Sequence, residues 1–214
     1  MAQILAFGDS ITDGAYDEQC GWAARMQRSI MAANLKKDTV REETDWFYNL
    51  GISGNTAQDV LLRIDTEAKA RKVFREDTRS IILFAIGTND SAAYGRADNF
   101  LCTGEEFRKN LHMLASKTQS DQTRIMFIGL MPVIERLTTP IYDDVWYTND
   151  RISSFNDVIR EVAYDLSATF IDLKKDDESN NEAYFIDGLH PNSQGHEWMF
   201  KKIKPVVEEE VASL

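Results

Sequence analysis

The chain alternates short apolar runs with longer stretches in which apolar residues recur at helical spacing. Each short run predicts a β-strand, and these strands lie near residues 3–8, 45–50, 80–86, 124–130 and 168–172. The helical spacing predicts helices near residues 20–34, 56–74, 104–118 and 149–166, and a last helix that begins near residue 192. Strands that alternate with helices in this way form a mostly parallel sheet covered by helices on both faces. The pattern therefore predicts an α/β fold of three layers with a doubly wound, five-stranded sheet.

The predicted helix near residues 104–118 carries a local start signal. Thr103 and Glu106 have the spacing of a capping box, in which two side chains satisfy the free N–H groups of a helix start. Phe107, Leu111 and Leu114 then repeat on one face. We expect this helix to begin near residue 104 with that apolar face buried.

Length and composition are those of one globular domain. A chain of 214 residues with 43% hydrophobic residues is large enough for one core and stays within the size that one core can hold. No low-complexity linker or internal repeat divides it, so we predict a single domain over residues 1–214. The net charge of −11 disfavours a nucleic-acid or anionic-membrane partner, because both attract positive surfaces.

The chain shows no sequence signal for export or membrane insertion. Residues 1–7 lack a basic n-region, and no apolar run approaches the roughly 20 residues of a membrane span. Cys20 and Cys102 can form at most one disulfide, and without an export signal we expect both to be reduced. These features predict a cytoplasmic protein.

Candidate chemistry begins at the end of the first apolar run. A serine hydroxyl is a poor nucleophile until a base takes its proton, and a histidine base needs an acceptor on its second ring nitrogen. Ser10 lies in the segment 7–14, FGDSITDG, and Asp187 precedes His190 by three residues in DGLHP. These three residues supply a nucleophile, a base and an orienting carboxylate. His112 and His196 lie in amphipathic helical stretches, and we interpret both as structural.

Two further segments offer hydrogen-bond donors for the oxyanion that forms when a serine attacks a carbonyl. Gly54 lets a ligand approach a backbone N–H closely, and Asn89 has an amide that donates without taking a proton. The Ser10 N–H is the third candidate donor. Structural interpretations stay open beside these, because glycine, asparagine and serine are common in turns and helix caps.

Together these segments resemble the four blocks of the SGNH hydrolases, also called GDSL-type lipases and acylhydrolases. The blocks occur in the family's order from about residue 4 to about residue 196. They read Gly-Asp-Ser-Ile at 8–11, with Ile11 where the family has Leu, Ser-Gly-Asn-Thr at 53–56, Gly-Thr-Asn-Asp at 87–90 and Asp-x-x-His-Pro at 187–191.

The resemblance implies a flavodoxin-like arrangement of the sheet and a serine esterase mechanism. In it, Ser10, His190 and Asp187 are the catalytic triad, and Ser10, Gly54 and Asn89 form the oxyanion hole. The predicted strands agree, because these groups follow strand ends and ligands bind beyond the carboxyl ends of parallel strands. The Gly-x-Ser-x-Gly pentapeptide of the larger α/β-hydrolase fold does not occur in the sequence.

The substrate is less well defined by the sequence. Segment 131–148 leaves the fourth predicted strand at the same edge, where Tyr142, Trp146 and Tyr147 either line a substrate pocket or pack the loop. No metal-ligand spacing or phosphate loop occurs, so we expect no cofactor and no metal. We predict hydrolysis of small, soluble esters with short acyl chains, including acetylated carbohydrate. A lysophospholipase, a thioesterase and a non-catalytic binding module on the same fold are the alternatives.

Overall fold

The computed structural model describes residues 2–37, 44–71, 79–118, 120–174 and 181–213. Its strands are β1 (Ala2–Gly8), β2 (Trp46–Gly51), β3 (Arg79–Ala85), β4 (Ala93–Tyr94), β5 (Thr123–Ile128), β6 (Val145–Trp146) and β7 (Thr169–Ile171). Its α-helices are α1 (Ser10–Asp13), α2 (Gly21–Asn34), α3 (Ala57–Ala70), α4 (Gly104–Thr118), α5 (Glu135–Thr138), α6 (Asn149–Asp165) and α7 (Ser193–Ser213). One-turn 3-10 helices occupy Asn89–Ser91 and Glu182–Tyr184.

Five strands form one parallel sheet in the order β2-β1-β3-β5-β7. Numbered along the chain, this is the order 2-1-3-4-5 of a flavodoxin-like, doubly wound sheet. The short strands β4 and β6 pair antiparallel in a separate two-stranded sheet. The predicted α/β fold with three layers is therefore confirmed.

The two faces of the central sheet are both buried. Side chains alternate in direction along a strand, so Leu5 and Phe7 of β1 pack into one cluster while Ile4 and Ala6 pack into another. The first cluster is completed by α3, α4 and α6, and the second by α2 and α7. Burial on both faces explains why the central strands read as continuous apolar runs.

Helix starts follow the local sequence. Glu106 accepts hydrogen bonds from the N–H and the hydroxyl of Thr103, and the Glu106 N–H donates to Thr103 Oγ1, which forms the predicted capping box of α4. Helix α3 begins with an equivalent pair, in which Thr56 and Asp59 exchange hydrogen bonds.

The predicted boundaries differ from the structure mainly at short elements. Helix α3 ends at Ala70, while the predicted helix near 56–74 extends to residues 72–74, which lie outside the described residues. The elements α1, α5, β4 and β6 were not predicted, because two to four residues are too few to show a period. No described helix has the length and hydropathy needed to cross a membrane. Cys20 and Cys102 both carry free thiols.

His196 joins α7 to α2 within the core. Its side chain is fully buried, and its Nδ1 accepts a hydrogen bond from the Trp22 N–H at 3.3 Å. Burial lowers the pKa of His196 to about 4, although the negative charge of Asp17 opposes this shift and the positive charge of Arg25 adds to it. The neutral imidazole is thus part of the packing between the two helices.

We predict that His196 makes the protein less stable as the pH falls. The pKa of a histidine in the unfolded chain is about 6.5, so between that pH and about 4 the unfolded state binds a proton that the folded state does not. Stability is full above pH 6.5, and roughly 2 kcal/mol is lost by pH 5 through this group. Urea unfolding of wild type and His196→Gln at pH 7.5 and pH 5 measures the difference.

The control is His112→Gln on the outer part of α4, where the imidazole is 39% exposed. We expect this variant to keep the wild-type pH dependence, whereas His196→Gln loses about 2 kcal/mol of it. Equal pH dependence in all three proteins would contradict the assignment to His196.

Candidate active site

The polar residues singled out in the sequence gather at one edge of the sheet. Ser10 lies two residues after β1, Gly54 three residues after β2 and Asn89 four residues after β3. Because these neighbouring strands are parallel, their carboxyl ends meet at the same edge. Asp187 and His190 reach this edge from the segment that precedes α7.

The turn after β1 holds Ser10 at the start of the short helix α1. Asp9 caps this helix, since its carboxylate accepts a hydrogen bond from the Ile11 N–H at 2.9 Å. Gly8 is required at the strand end, because a Cβ there would lie 2.1 Å from Thr12 Oγ1 and 2.7 Å from the carbonyl oxygen of Ala85. Burial raises the pKa of the Asp9 carboxyl to about 6, partly offset by its backbone hydrogen bond and by His190.

Ser10, His190 and Asp187 form a continuous chain of hydrogen-bonding groups. The distance from Ser10 Oγ to His190 Nε2 is 3.0 Å, and that from His190 Nδ1 to Asp187 Oδ2 is 2.8 Å. Ser10 and His190 are both buried, and the Asp187 side chain is 25% exposed. This order of groups can move a proton from the hydroxyl to the imidazole while the carboxylate fixes the tautomer.

The tight turn between Asp187 and His190 fixes their spacing. Asp187 Oδ1 accepts hydrogen bonds from the N–H groups of Leu189 at 2.9 Å and His190 at 2.7 Å. Gly188 lies between them with φ of +91°, in the left-handed region that suits glycine. Partial burial would raise the pKa of Asp187, but the hydrogen bonds from His190 and the backbone outweigh it and hold that pKa well below its usual range. Asp187 is therefore ionised at neutral pH.

Two tyrosines flank the imidazole and carboxylate from the exposed side. The Tyr142 hydroxyl donates to Asp187 Oδ2 at 3.1 Å, and the Tyr16 ring meets the His190 ring edge-on with centroids 5.1 Å apart. Both tyrosines adopt positive φ, +62° for Tyr16 and +54° for Tyr142, which is strained for residues other than glycine. Tyr16 was not identified from the sequence, since a single aromatic residue in a loop gives no periodic signal.

The Asn89 side chain is held by hydrogen bonds at both ends of its amide. Its Nδ2 donates to the backbone carbonyl of Asn55 at 3.0 Å, and its Oδ1 accepts from the Tyr147 hydroxyl at 3.0 Å. These partners orient the amide, and one of its two hydrogens remains for a ligand. The segment that precedes Asn55 includes Gly54, whose φ of +79° favours glycine and whose Cβ position faces open space.

A cavity of about 290 Å³ opens in front of Ser10. It is lined by Ser10, Ala15, Tyr16, Ser53, Gly54, Asn89, Tyr94, Tyr142, Val145, Tyr147, Leu189 and His190. Tyr142 and Tyr147, both predicted as candidate pocket residues, contribute to this lining. Trp146 does not line this cavity; it lies in β6, where it pairs with Ala93 of β4.

Asp90 supports the loop of Asn89 from behind. Both of its carboxylate oxygens lie 3.1 Å from the Ala57 nitrogen, whose N–H belongs to the first turn of α3. Burial raises the pKa of Asp90 to about 7, and the neighbouring Asp9 contributes in the same direction. Asp90 thus ties the loop that carries Asn89 to the start of α3. Within the described ranges, no group of three His, Cys, Asp or Glu side chains is placed to hold a metal ion.

The parallel sheet with this polar cluster beyond its carboxyl edge defines the class, a doubly wound α/β protein with a candidate ligand site at that edge. Comparison with known families agrees with the four ordered segments of the sequence. A model of the GDSL-like Lipase/Acylhydrolase family matches residues 6–198. The chain belongs to this family.

Individual relatives are distant but cover nearly the whole chain. The human protein named isoamyl acetate-hydrolyzing esterase 1 homolog is 27% identical over 227 residues, which covers 99% of this chain and 84% of the relative. Among solved structures, a lipase/acylhydrolase from Enterococcus faecalis has a TM-score of 0.74 and 24% identity, with coverage of 98% of this chain and 97% of that one. A variant of an acetyl xylan esterase from Geobacillus stearothermophilus has a TM-score of 0.67 and 20% identity, with coverage of 94% and 92%. The structural likenesses establish the fold.

We predict that Tyr147→Phe destabilises the protein by about 1–2 kcal/mol. The substitution keeps the buried ring but removes the hydroxyl that donates to Asn89 Oδ1, which leaves a buried acceptor without its donor. Chemical denaturation gives the free energy of unfolding, and Tyr164→Phe is the control because Tyr164 is 85% exposed. Equal stability of the two variants would show that the Tyr147 hydroxyl contributes nothing to the folded state.

Proposed function

We propose that this protein is a serine esterase in which Ser10 is the nucleophile, His190 the general base and acid, and Asp187 the carboxylate that orients His190. The observation that carries the proposal is the hydrogen-bonded chain of 3.0 Å and 2.8 Å that joins the three side chains. Its geometry falls within the range expected for an activated nucleophile. Membership of an acylhydrolase family supports the same chemistry.

In the first half of the reaction, His190 Nε2 takes the proton of Ser10 as Oγ attacks the ester carbonyl. The negative charge on the carbonyl oxygen is bound by the N–H groups of Ser10 and Gly54 and by the Asn89 amide, which we propose as the oxyanion hole. The tetrahedral intermediate then breaks its bond to the alcohol oxygen, and His190 gives that oxygen its proton. The products of this half are a free alcohol and an acyl group on Ser10.

In the second half, water takes the place of the alcohol, and the steps of the first half run in reverse. His190 takes a proton from water as the oxygen attacks the acyl carbonyl, and the same three donors bind the oxyanion. The intermediate expels Ser10 Oγ, which recovers its proton from His190, and the carboxylic acid leaves. Asp187 stays ionised throughout and stabilises the imidazolium that forms in each half.

The cavity supports a small ester as substrate. Its volume of about 290 Å³ lies just below the range of roughly 300–1,000 Å³ for small-molecule pockets. The names of two relatives refer to acetyl esters, isoamyl acetate for the human protein and acetyl xylan for the bacterial one. We therefore propose acetyl or other short acyl esters of a small alcohol or a carbohydrate. Tyr142 and Tyr147, which line the cavity, are the proposed contacts for the substrate.

Two alternatives stay open as predictions. A lysophospholipase or thioesterase would use the same three side chains on a longer acyl chain or a sulfur leaving group. A binding module would hold an ester without turnover and has no need of an activated serine. The single domain and the cytoplasmic location predicted from the sequence likewise stay predictions.

We predict that hydrolysis of p-nitrophenyl esters depends on Ser10 and falls as the acyl chain grows from acetate to palmitate. Ser10→Ala removes the nucleophile and should lower kcat by at least about 1000-fold, while Ser116→Ala, an exposed serine on α4, should match wild type. A fluorophosphonate probe should label wild type and leave Ser10→Ala unlabelled. Faster turnover of long chains would favour the lysophospholipase alternative, and absence of both turnover and labelling would favour the binding module.

We predict that Asn89→Ala lowers kcat by about 100- to 1000-fold, the range typical of one lost oxyanion donor. The folded state should persist, because Asn89 lies in a one-turn 3-10 helix outside the central sheet and the variant loses only the hydrogen bonds of its amide to Asn55 and Tyr147; circular dichroism checks this. Steady-state kinetics with p-nitrophenyl acetate measures the effect. Near-normal kcat in a folded variant would remove Asn89 from the oxyanion hole.

A further inference from the structure

Arg63 projects from α3 toward the loops that carry the proposed oxyanion donors. Its side chain is 15% exposed and lies over the Phe7 ring, with the guanidinium carbon 5.4 Å from the ring centroid. Nε donates to the side-chain oxygen of Asn55 at 2.9 Å, and one terminal nitrogen donates to the carbonyl of Leu50 at 2.8 Å and to that of Gly8 at 3.4 Å. One guanidinium thus joins two backbone carbonyls and one side chain.

Each of these groups lies next to a part of the site. Gly8 ends β1 two residues before Ser10, and Leu50 lies in β2, which leads to Gly54. Asn55 follows Gly54 directly, and its own carbonyl accepts the hydrogen bond from Asn89 Nδ2. Arg63 is therefore in hydrogen-bond contact with the ends of two strands and, through Asn55, with the loop of the third.

We propose that Arg63 is a positioning residue that holds the three oxyanion donors in one geometry. It does not line the cavity in front of Ser10, so it acts through Asn55 and the strand ends rather than on the substrate. The inference rests on the proposed function, since it needs the Ser10 and Gly54 N–H groups and the Asn89 amide to bind the oxyanion.

The loops that carry the three proposed oxyanion donors need a common anchor. One terminal nitrogen of Arg63 donates to a carbonyl of β2 and to one of β1, so it bridges the carboxyl ends of two paired strands. Gly54 has a positive φ and open space around it, so packing does little to fix the position of its N–H. A planar guanidinium has five donors in a rigid fork, which lets one side chain fix several acceptors at once.

The chain offers a matched control in Arg71, about two turns beyond Arg63 and directly after the last residue of α3. Arg71 also lies over an aromatic ring, that of Tyr48 at 5.3 Å. Both arginines form an ion pair with Glu67. The hydrogen bonds of Arg71 go to Glu67, which lies in α3 itself. The two arginines share their charge, an ion pair with Glu67 and a position over an aromatic ring, and of the two only Arg63 has a hydrogen bond to the site loops among the described residues.

The test measures kcat and KM for p-nitrophenyl acetate in Arg63→Met and Arg71→Met. We expect kcat of Arg63→Met to fall roughly 10- to 100-fold with KM within about twofold of wild type, because misplaced donors weaken the transition state more than the ground state. Arg71→Met should match wild type in both constants. Arg63→Lys should be intermediate, since an ammonium keeps the charge but cannot span all three acceptors.

A double variant that combines Arg63→Met with the loss of an oxyanion donor separates a positioning role of Arg63 from general destabilisation. In Arg63→Met/Asn89→Ala the loss in kcat should be smaller than the product of the two single losses, because both variants disable the same hole. If Arg63→Met does not fold, Asn55→Ala replaces it, since it removes the side-chain amide whose oxygen accepts from Arg63 Nε and leaves Arg63 in place. Asn55→Ala should lower kcat in the same sense and couple to Asn89→Ala in the same way.

The outcomes distinguish this inference from the function on which it rests. Normal kcat in Arg63→Met or Asn55→Ala, beside an impaired Asn89→Ala, would refute the role of Arg63 alone. Fully multiplicative losses in the double variant would also refute it, because Arg63 would then act independently of the hole. Normal kcat in Asn89→Ala would refute the assignment of Asn89 to the oxyanion hole. It would also refute the proposal that Arg63 positions Asn89 through Asn55.

Discussion

The parallel pairing of β1 with β2 and β3 is the constraint on which the rest of the site depends. The register aligns Gly8 with Gly51 on one side and with Ala85 on the other, so the three strands end in one row. Beyond this row the backbone no longer has neighbours in the sheet, and each chain segment must turn away. Ser10, Gly54 and Asn89 lie within four residues of their strand ends, so the register itself brings them together.

Strand ends alone leave loops that can move, and a set of polar contacts restrains them. Tyr147 and Asn55 hold the Asn89 amide, Asp9 caps α1, and Asp90 meets the first turn of α3. Burying these two carboxyl groups has an energetic cost, which appears as a raised pKa for both Asp9 and Asp90. Both carboxyl groups lie at the carboxyl edge of the sheet, whereas the layers on its two faces are apolar.

Elements with a regular hydrophobic period could be predicted from the sequence, whereas contacts between loops distant along the chain could not. The strand near 3–8 and the helix near 149–166 were recognised because burial repeats along them with a fixed period. Ser10, Asp187 and His190 stood out because their chemistry is specific, and the structure brings them into contact. The hydrogen bond from Tyr142 to Asp187 and the edge contact of Tyr16 with His190 were not predicted. Such contacts depend on how two loops meet in space. Neither tyrosine belongs to a periodic pattern or motif from which its contact could be predicted.

The turn from Asp187 to His190 leads into α7, which packs on α2, whereas residues of the segment 131–148 supply several walls of the cavity. The Asp187–His190 turn and these walls are thus encoded in separate stretches of the chain. The two stretches meet at Tyr142, which lines the cavity and bonds to Asp187, and at Ile134, whose N–H donates to the Gly188 carbonyl at 2.8 Å. This division gives the scaffold evolvability, because substitutions in the 131–148 segment can reshape walls of the cavity without replacing any residue of the Asp-His turn. Such a change has to preserve two junctions, at Tyr142 and Ile134, rather than the whole site.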